Sequence, residues 1–165
     1  MAVGHFLGGV AALVRCPATG KYLLLRRAPT KDFAPGGWEC VTGRVDQGEG
    51  FEEALRREVR EELGVEVRTD FVIGTTHFYR GEVSPENELI GVIYACSLDD
   101  PQAVRLTDEH SECRWASPEE AAALLTEPDA CTQWTRRVVE RAEAVRRLLP
   151  EDLLTYYQRV GFELD

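Results

Sequence analysis

No apolar run in this 165-residue sequence approaches the roughly 20 residues that a bilayer-spanning helix needs. The nearest candidate, residues 6–14, has no basic segment before it and runs straight into Arg15 and a turn, so it reads as a first β-strand rather than a signal peptide. Basic charge is also in short supply. With 19 Lys and Arg against 29 Asp and Glu, the net charge is −10, which argues against a nucleic-acid polymer as partner because such binding needs a basic footprint. Paired cysteines are missing too. Cys16, Cys40, Cys96, Cys113 and Cys131 are odd in number, widely spaced and contain no C-x-x-C, which favours reduced thiols in a cytoplasm over disulfides or a zinc site. There is no internal repeat, low-complexity tract or sign of a second domain. The length predicts one domain over residues 1–165, large enough to bury a core, and 44% hydrophobic residues suit it.

What is present is concentrated in residues 43–65. A glycine, Gly43, is followed six positions on by Glu49, and then by Arg57-Glu58-Val59-Arg60-Glu61-Glu62-Leu63-Gly64-Val65. At 3.6 residues per turn, Glu58, Glu61 and Glu62 fall at i, i+3 and i+4, three carboxylates within about one turn of one face. Phe51, Ala54, Leu55, Val59 and Leu63 form a helix-spaced apolar stripe that overlaps this face. Glutamates turned towards the protein repel one another and lose hydration unless a cation compensates them, and a divalent metal is the simplest such cation. The plainer reading is a solvated Glu/Arg helix held by i,i+4 pairs such as Glu52–Arg56 and Glu53–Arg57. That reading leaves Gly43 and Glu49, at fixed distances upstream, unexplained. Gly64 stands where a helix ends in a left-handed residue.

The segment resembles the Nudix box, G-x5-E-x7-R-E-U-x-E-E-x-G-U with U a bulky aliphatic residue, and every specified position matches. The resemblance implies an α/β (α+β) fold, an αβα sandwich around a mixed sheet, over about residues 5–125. A C-terminal helical extension over about 129–165 lies outside it. It also implies a Mg²⁺- or Mn²⁺-dependent hydrolase that cleaves a nucleoside diphosphate linked to another group. Carried over residue by residue, it makes Glu58 and Glu62 metal ligands together with the main-chain carbonyl of Gly43. Glu61 either ligates a second metal or positions the attacking water, and Arg57 holds Glu49 and the loop in place.

The rest of the chain reads as strands and helices without regular βαβ alternation, which predicts a mixed sheet between helices. Residues 6–15 and 21–27 read as strands of a hairpin around the turn at 17–20, and 38–42 as a short strand that delivers the chain to Gly43. The box helix spans about 50–63. A strand within 65–79, a polar loop at 80–88, a central apolar strand at 89–98 and a short strand at 112–116 follow. Ser117-Pro118-Glu119-Glu120 is a helix start with Pro at N1. After Pro128 a long amphipathic helix carries Trp134, Val138, Ala142, Val145 and Leu149 on one face, and a shorter helix covers 151–160. These last helices either pack on the sheet or form a homodimer surface.

Outside the box, Glu109 in Thr107-Asp108-Glu109-His110 sits where several Nudix enzymes carry an additional metal ligand or base; the alternative is a turn with a solvated acidic pair. His110 reads either as a phosphate contact or proton carrier, or as a structural residue. Phe33, Trp38 and Phe78 are aromatic residues able to stack on a base. The form W-x-x-V-T-G-x-V over Trp38–Val45, with Thr-Asp-Glu-His beyond, is similar to the branch containing dATP and dihydroneopterin triphosphate pyrophosphohydrolases. The implied reaction converts a nucleotide-like triphosphate to a monophosphate and pyrophosphate. Dinucleoside polyphosphates, ADP-ribose and nucleotide sugars are the rival substrates, and a non-catalytic nucleotide sensor is the rival class.

Overall fold

The computed structural model describes residues 4–164. Its elements are β1 (Leu7–Arg15), β2 (Tyr22–Arg27), β3 (Trp38–Glu39), β4 (Val41–Arg44), α1 (Phe51–Leu63), β5 (Arg68–Tyr79), β6 (Glu88–Ser97), β7 (His110–Ala116), α2 (Pro118–Leu124), α3 (Ala130–Leu148) and α4 (Glu151–Val160). A 3₁₀ turn over Pro101–Ala103, not anticipated from the sequence, is capped by the Asp100 side chain.

The strands form one mixed sheet in the order β3-β2-β1-β6-β5, with β4 added on β1 and β7 on β2. The apolar strand expected to be central is β6. It runs parallel to β1 from Leu7↔Leu89 to Arg15↔Ser97 and antiparallel to β5 on its other edge. Both faces of β1 and β2 are covered, so their side chains alternate between two cores. Val10, Ala12, Val14, Leu23 and Leu25 pack towards Ala54, Leu55, Val59 and Leu63 of α1. Ala11, Leu13, Tyr22 and Leu24 face the other way, against α2 and α3 through Ala121, Leu125, Val138 and Ala142. This is the expected αβα sandwich.

The expected hairpin forms but is short. β1 and β2 meet only at Arg15↔Tyr22 and then part. The gap is filled by the segment read as one strand, which breaks at the fully buried Cys40: β3 pairs with β2, and β4 pairs with β1 from Gly9↔Arg44 to Ala12↔Val41. The splay matters because it opens the sheet beneath the N-terminal loop of α1.

α2 begins with a full capping box, Ser117 and Glu120 each accepting from the other's backbone N–H. On α3, Val138 and Ala142 are buried, and Trp134, Val145 and Leu149 pack against the same core. The C-terminal helices therefore pack on the sheet. Among the described residues, no helix is long and apolar enough to cross a membrane, and all five cysteines are free.

Candidate active site

α1 is the element on which the site is built. It ends at Gly64, whose φ of 67° gives the left-handed cap expected of it. Ala54, Leu55, Val59 and Leu63 anchor one stripe in the core, and this fixes the helix's rotation. Glu62 is carried inward to 5% exposure, and the Glu58 side chain to 14%. Glu61 differs from expectation: its side chain is 60% exposed. The apolar stripe turns two of the three glutamates inward and leaves the third at the solvent edge.

The loop between β4 and α1 is locked onto the helix by Arg57. Its Nε and Nη2 donate to the two carboxylate oxygens of Glu49 at 2.7 and 2.9 Å, Nη2 also donates to the Arg44 carbonyl at 2.8 Å, and Nη1 donates to Glu58 Oε1 at 2.9 Å. Glu49 Oε2 further accepts from the Asp46 N–H. The Arg57 guanidinium draws the Glu49 carboxyl down to about 2. Gly43 lies against Glu58 so closely that a Cβ there would sit 1.9 Å from the Glu58 carboxyl carbon. No side chain fits, and the backbone of Gly43 is thereby held beside a carboxylate.

Glu62 is the anomaly of the site. Its Oε2 is buried with no hydrogen-bond partner, and the His110 ring Nε2 stands 3.9 Å away. Burial first, then the charges of Glu39, Glu109 and Glu58, push its carboxyl up to about 9. A desolvated carboxylate surrounded by others is unfavourable unless protonated or compensated. Burial also raises the Glu58 carboxyl, while Arg57 and the Arg44 N–H act against it.

Behind Glu62 lies a buried network centred on Glu39, a residue the sequence reading did not single out. Arg27 Nη1 donates to both Glu39 oxygens at 2.9 and 2.8 Å, His110 Nε2 lies 2.9 Å from Oε1, and Thr42 Oγ1 donates to Oε2 at 3.1 Å. The pair sits between β2, β3 and β7, and the sole sequence hint was a charged residue inside the apolar run Trp38–Val41. His110 is 6% exposed and bonded to Glu39. It thus faces the Glu39 carboxylate from within the sheet, in keeping with the structural reading. Trp38 also needs correction: at 2% exposure it belongs to the core, its backbone tied to Thr132 and Thr135 of α3, so no base can stack on it.

These groups open into a cleft of about 710 Å³ lined by Gly43, Glu39, Glu58, Glu62 and Glu109. Glu109 is half-exposed and paired with Lys31, which lowers its carboxyl pKa. The far side is formed by the end of β5 and by α3: Phe78, which the sequence offered as a base-stacking aromatic, and Arg80, Trp134, Arg137 and Arg141, which it did not connect with the site. Phe33 and Phe78 stack with centroids 6.3 Å apart, and the Arg80 guanidinium lies 5.4 Å from the Phe33 ring.

Among the described residues, no three His, Cys, Asp or Glu side chains are gathered as a ready cage for a metal. Arg57 and the Arg44 N–H bond Glu58 Oε1, and Lys31 bonds Glu109. The donor set nevertheless fits a hard divalent cation. It is all oxygen, and its most buried member, Glu62 Oε2, lacks any partner.

The NUDIX domain family model matches residues 6–141, further along the chain than the expected limit near 125, so the family's pattern takes in the greater part of α3. The nucleoside triphosphatase NudI of Salmonella agona is 35% identical over 113 residues, 62% of this chain and 77% of that protein. Among solved structures, the MutT protein from Methanosarcina mazei superposes with a TM-score of 0.70 at 26% identity, covering 89% of this chain and 99% of the other. The E. coli ORF135 protein gives 0.64 at 31% identity, covering 90% and 96%. With its box glutamates, arginine clamp and sandwich all in register with that pattern, the chain belongs to the Nudix family and is a hydrolase of phosphorus anhydrides.

Proposed function

We propose that this protein cleaves a nucleoside triphosphate-type substrate to the monophosphate and pyrophosphate with Mg²⁺ or Mn²⁺ at the α1 carboxylates. The observation that carries the metal is the unpartnered, buried oxygen of Glu62 beside Glu58 and the backbone of Gly43. The nucleoside triphosphatases among the relatives support the substrate class.

Glu58, Glu62 and the Gly43 carbonyl would hold the ion, with Glu109, paired here with Lys31, as a further ligand. When bound, the ion neutralises phosphoryl oxygens and lowers the pKa of a coordinated water. The protein does the positioning. Arg57 keeps the Gly43–Glu49 loop at a fixed distance from the helix, and the Arg27–Glu39–His110 network backs Glu62. Glu61, at the solvent edge, holds a second ion or aims the attacking water. Arg80, Arg137 and Arg141 supply the cleft with positive charge for a polyphosphate in a chain whose net charge is −10. Phe33 and Phe78 offer an aromatic face to the base.

The test is hydrolysis with Mg²⁺ across nucleoside and deoxynucleoside triphosphates, dihydroneopterin triphosphate, diadenosine polyphosphates, ADP-ribose and nucleotide sugars, with products separated by chromatography. Monophosphate plus pyrophosphate from a triphosphate is the expected result. Turnover of ADP-ribose or nucleotide sugars alone, or release of orthophosphate from a triphosphate, would overturn the reading.

A further inference from the structure

The helix that carries the metal-binding glutamates lacks an N-cap of its own. Gly50 occupies that position with no side chain to offer, and the first turn of any α-helix presents N–H groups that need an acceptor. The acceptor comes from the other end of the chain. Glu163 Oε1 accepts from the Phe51 N–H at 2.6 Å and Oε2 from the Glu52 N–H at 3.3 Å. In return, the buried Glu52 carboxylate accepts from the backbone N–H groups of Phe162 and Glu163 at 2.7 and 3.2 Å through its Oε2. The two segments cap each other across more than 100 residues.

The approach leaves no spare room. Gly161 ends α4 at φ 77° and turns the chain towards α1, and a Cβ on it would lie 2.8 Å from Glu52 Oε2. A Cβ on Gly50 would lie 2.5 Å from the Glu163 carboxylate. Phe162 secures the turn by stacking on Tyr157, centroids 4.4 Å apart, and by meeting the edge of Tyr94 on β6 at 5.7 Å. A carboxylate at this end is further favoured by the helix dipole. All of these C-terminal residues lie beyond 141, where the family model's match ends.

We infer that Glu163, with Glu52 and Gly161, is a positioning residue for hydrolysis: the C-terminal segment supplies the missing N-cap of α1 and so fixes the Glu49–Gly50 junction from which Arg57 and the metal-binding glutamates take their places. The inference rests on the assignment of Glu58 and Glu62 as the metal-holding pair. Glu163 holds the helix start that directly follows the loop Arg57 clamps, so release of the first turn loosens the Glu49 anchor before it reaches the core stripe of the helix.

Three proteins decide the matter: wild type, Glu163→Ala, and Glu163→Ala combined with Gly50→Ser. Gly50 already has the extended backbone of an N-cap, φ −80° and ψ 168°, so serine there can cap the helix locally once the Glu163 carboxylate is gone. Amide exchange at Phe51 and Glu52 is read in metal-free protein, and kcat and KM are read with Mg²⁺. In Glu163→Ala, exchange at these two amides rises about tenfold, as loss of a cap of ordinary strength requires, and the inference expects kcat to fall about fivefold with KM little changed. The serine restores both. If exchange and kcat stay at the wild-type values, there is no clasp. If exchange rises while kcat holds, the tail caps the helix without positioning the site, and the inference is wrong. If Glu163→Ala merely melts at a lower temperature and the serine rescues neither readout, the tail's role is general packing, which also refutes it. A wild-type protein inactive on every phosphoanhydride would defeat the functional reading, while the exchange measurement still decides whether the tail caps α1.

Discussion

Replacing Glu62 by glutamine should stabilise the metal-free protein while abolishing its activity, and the size of the effect should depend on pH. In the folded metal-free state the Glu62 carboxyl is pushed up to about 9, chiefly by burial, against an ordinary value of 4.5. Between these values the folded protein keeps a proton that the unfolded chain releases, so raising the pH favours unfolding. The stability associated with protonated Glu62 is complete below the unfolded value and is lost progressively as pH rises towards the folded one. Each unit corresponds to about 1.36 kcal/mol, so between pH 5 and pH 8 the wild type should lose up to about 4 kcal/mol relative to the glutamine variant. Glutamine has nearly the same shape and never ionises, and the other titrating groups are common to both proteins. Urea denaturation in EDTA at the two pH values measures the difference directly. The gap in favour of Glu62→Gln should widen with pH. Magnesium should narrow it, since a ligand at 100 times its Kd stabilises the wild type by about 2.7 kcal/mol and has little to bind in the variant. A gap equal at pH 5 and pH 8 would refute the argument that Glu62 is held in a desolvated, negatively charged site awaiting a cation.

Three further substitutions separate the parts of the site. Arg57→Lys removes the fork that grips Glu49 and the Arg44 carbonyl, and should lower kcat by at least about tenfold while the protein stays folded by circular dichroism. Glu39→Gln leaves the Arg27 guanidinium buried without its charge partner and should cost about 3 kcal/mol in urea denaturation, with turnover reduced as Glu62 loses its backing. Glu109→Gln breaks only a half-exposed pair with Lys31 and should change stability by less than about 1 kcal/mol. A fall in kcat or a raised Mg²⁺ requirement in that variant would mark Glu109 as part of the metal site, and unchanged kinetics would return it to a solvated turn.

The parts of this protein that were legible in the sequence are those built from near neighbours. α1, its stripe, its Gly64 terminus and the inward turn of Glu58 and Glu62 follow from a 3.6-residue period, and the capping box of α2 from four consecutive residues. Strand positions at 6–15, 21–27 and 89–98 followed from apolar runs bounded by turn residues. The family motif supplied Arg57's grip on Glu49, which spans only eight positions. Glu61 marks the limit of such reasoning: one residue of phase decided whether it entered the cleft, and the depth of the apolar stripe against β1 and β4 set that phase.

Contacts between distant residues belong to the tertiary structure alone. Trp38 looked like a base-stacking aromatic until α3 closed over it, and His110 stood open between a phosphate contact and a structural residue until Glu39 took its Nε2. Glu39 itself gained meaning only when Arg27 of β2 and His110 of β7 were brought to it across the sheet. The break at Cys40, which lets β3 and β4 pair with different partners, comes from the splay of β1 and β2, and no local pattern encodes it. Glu52 and Glu163 each resemble ordinary helix or tail acids, yet they bind each other's backbone because α4 and Gly161 carry the chain end back to the start of α1. Periodicity and caps act within a few residues and can be read along the chain. The compensation of buried charge is settled by whichever groups the fold brings within about 3 Å of it, whatever their separation in sequence.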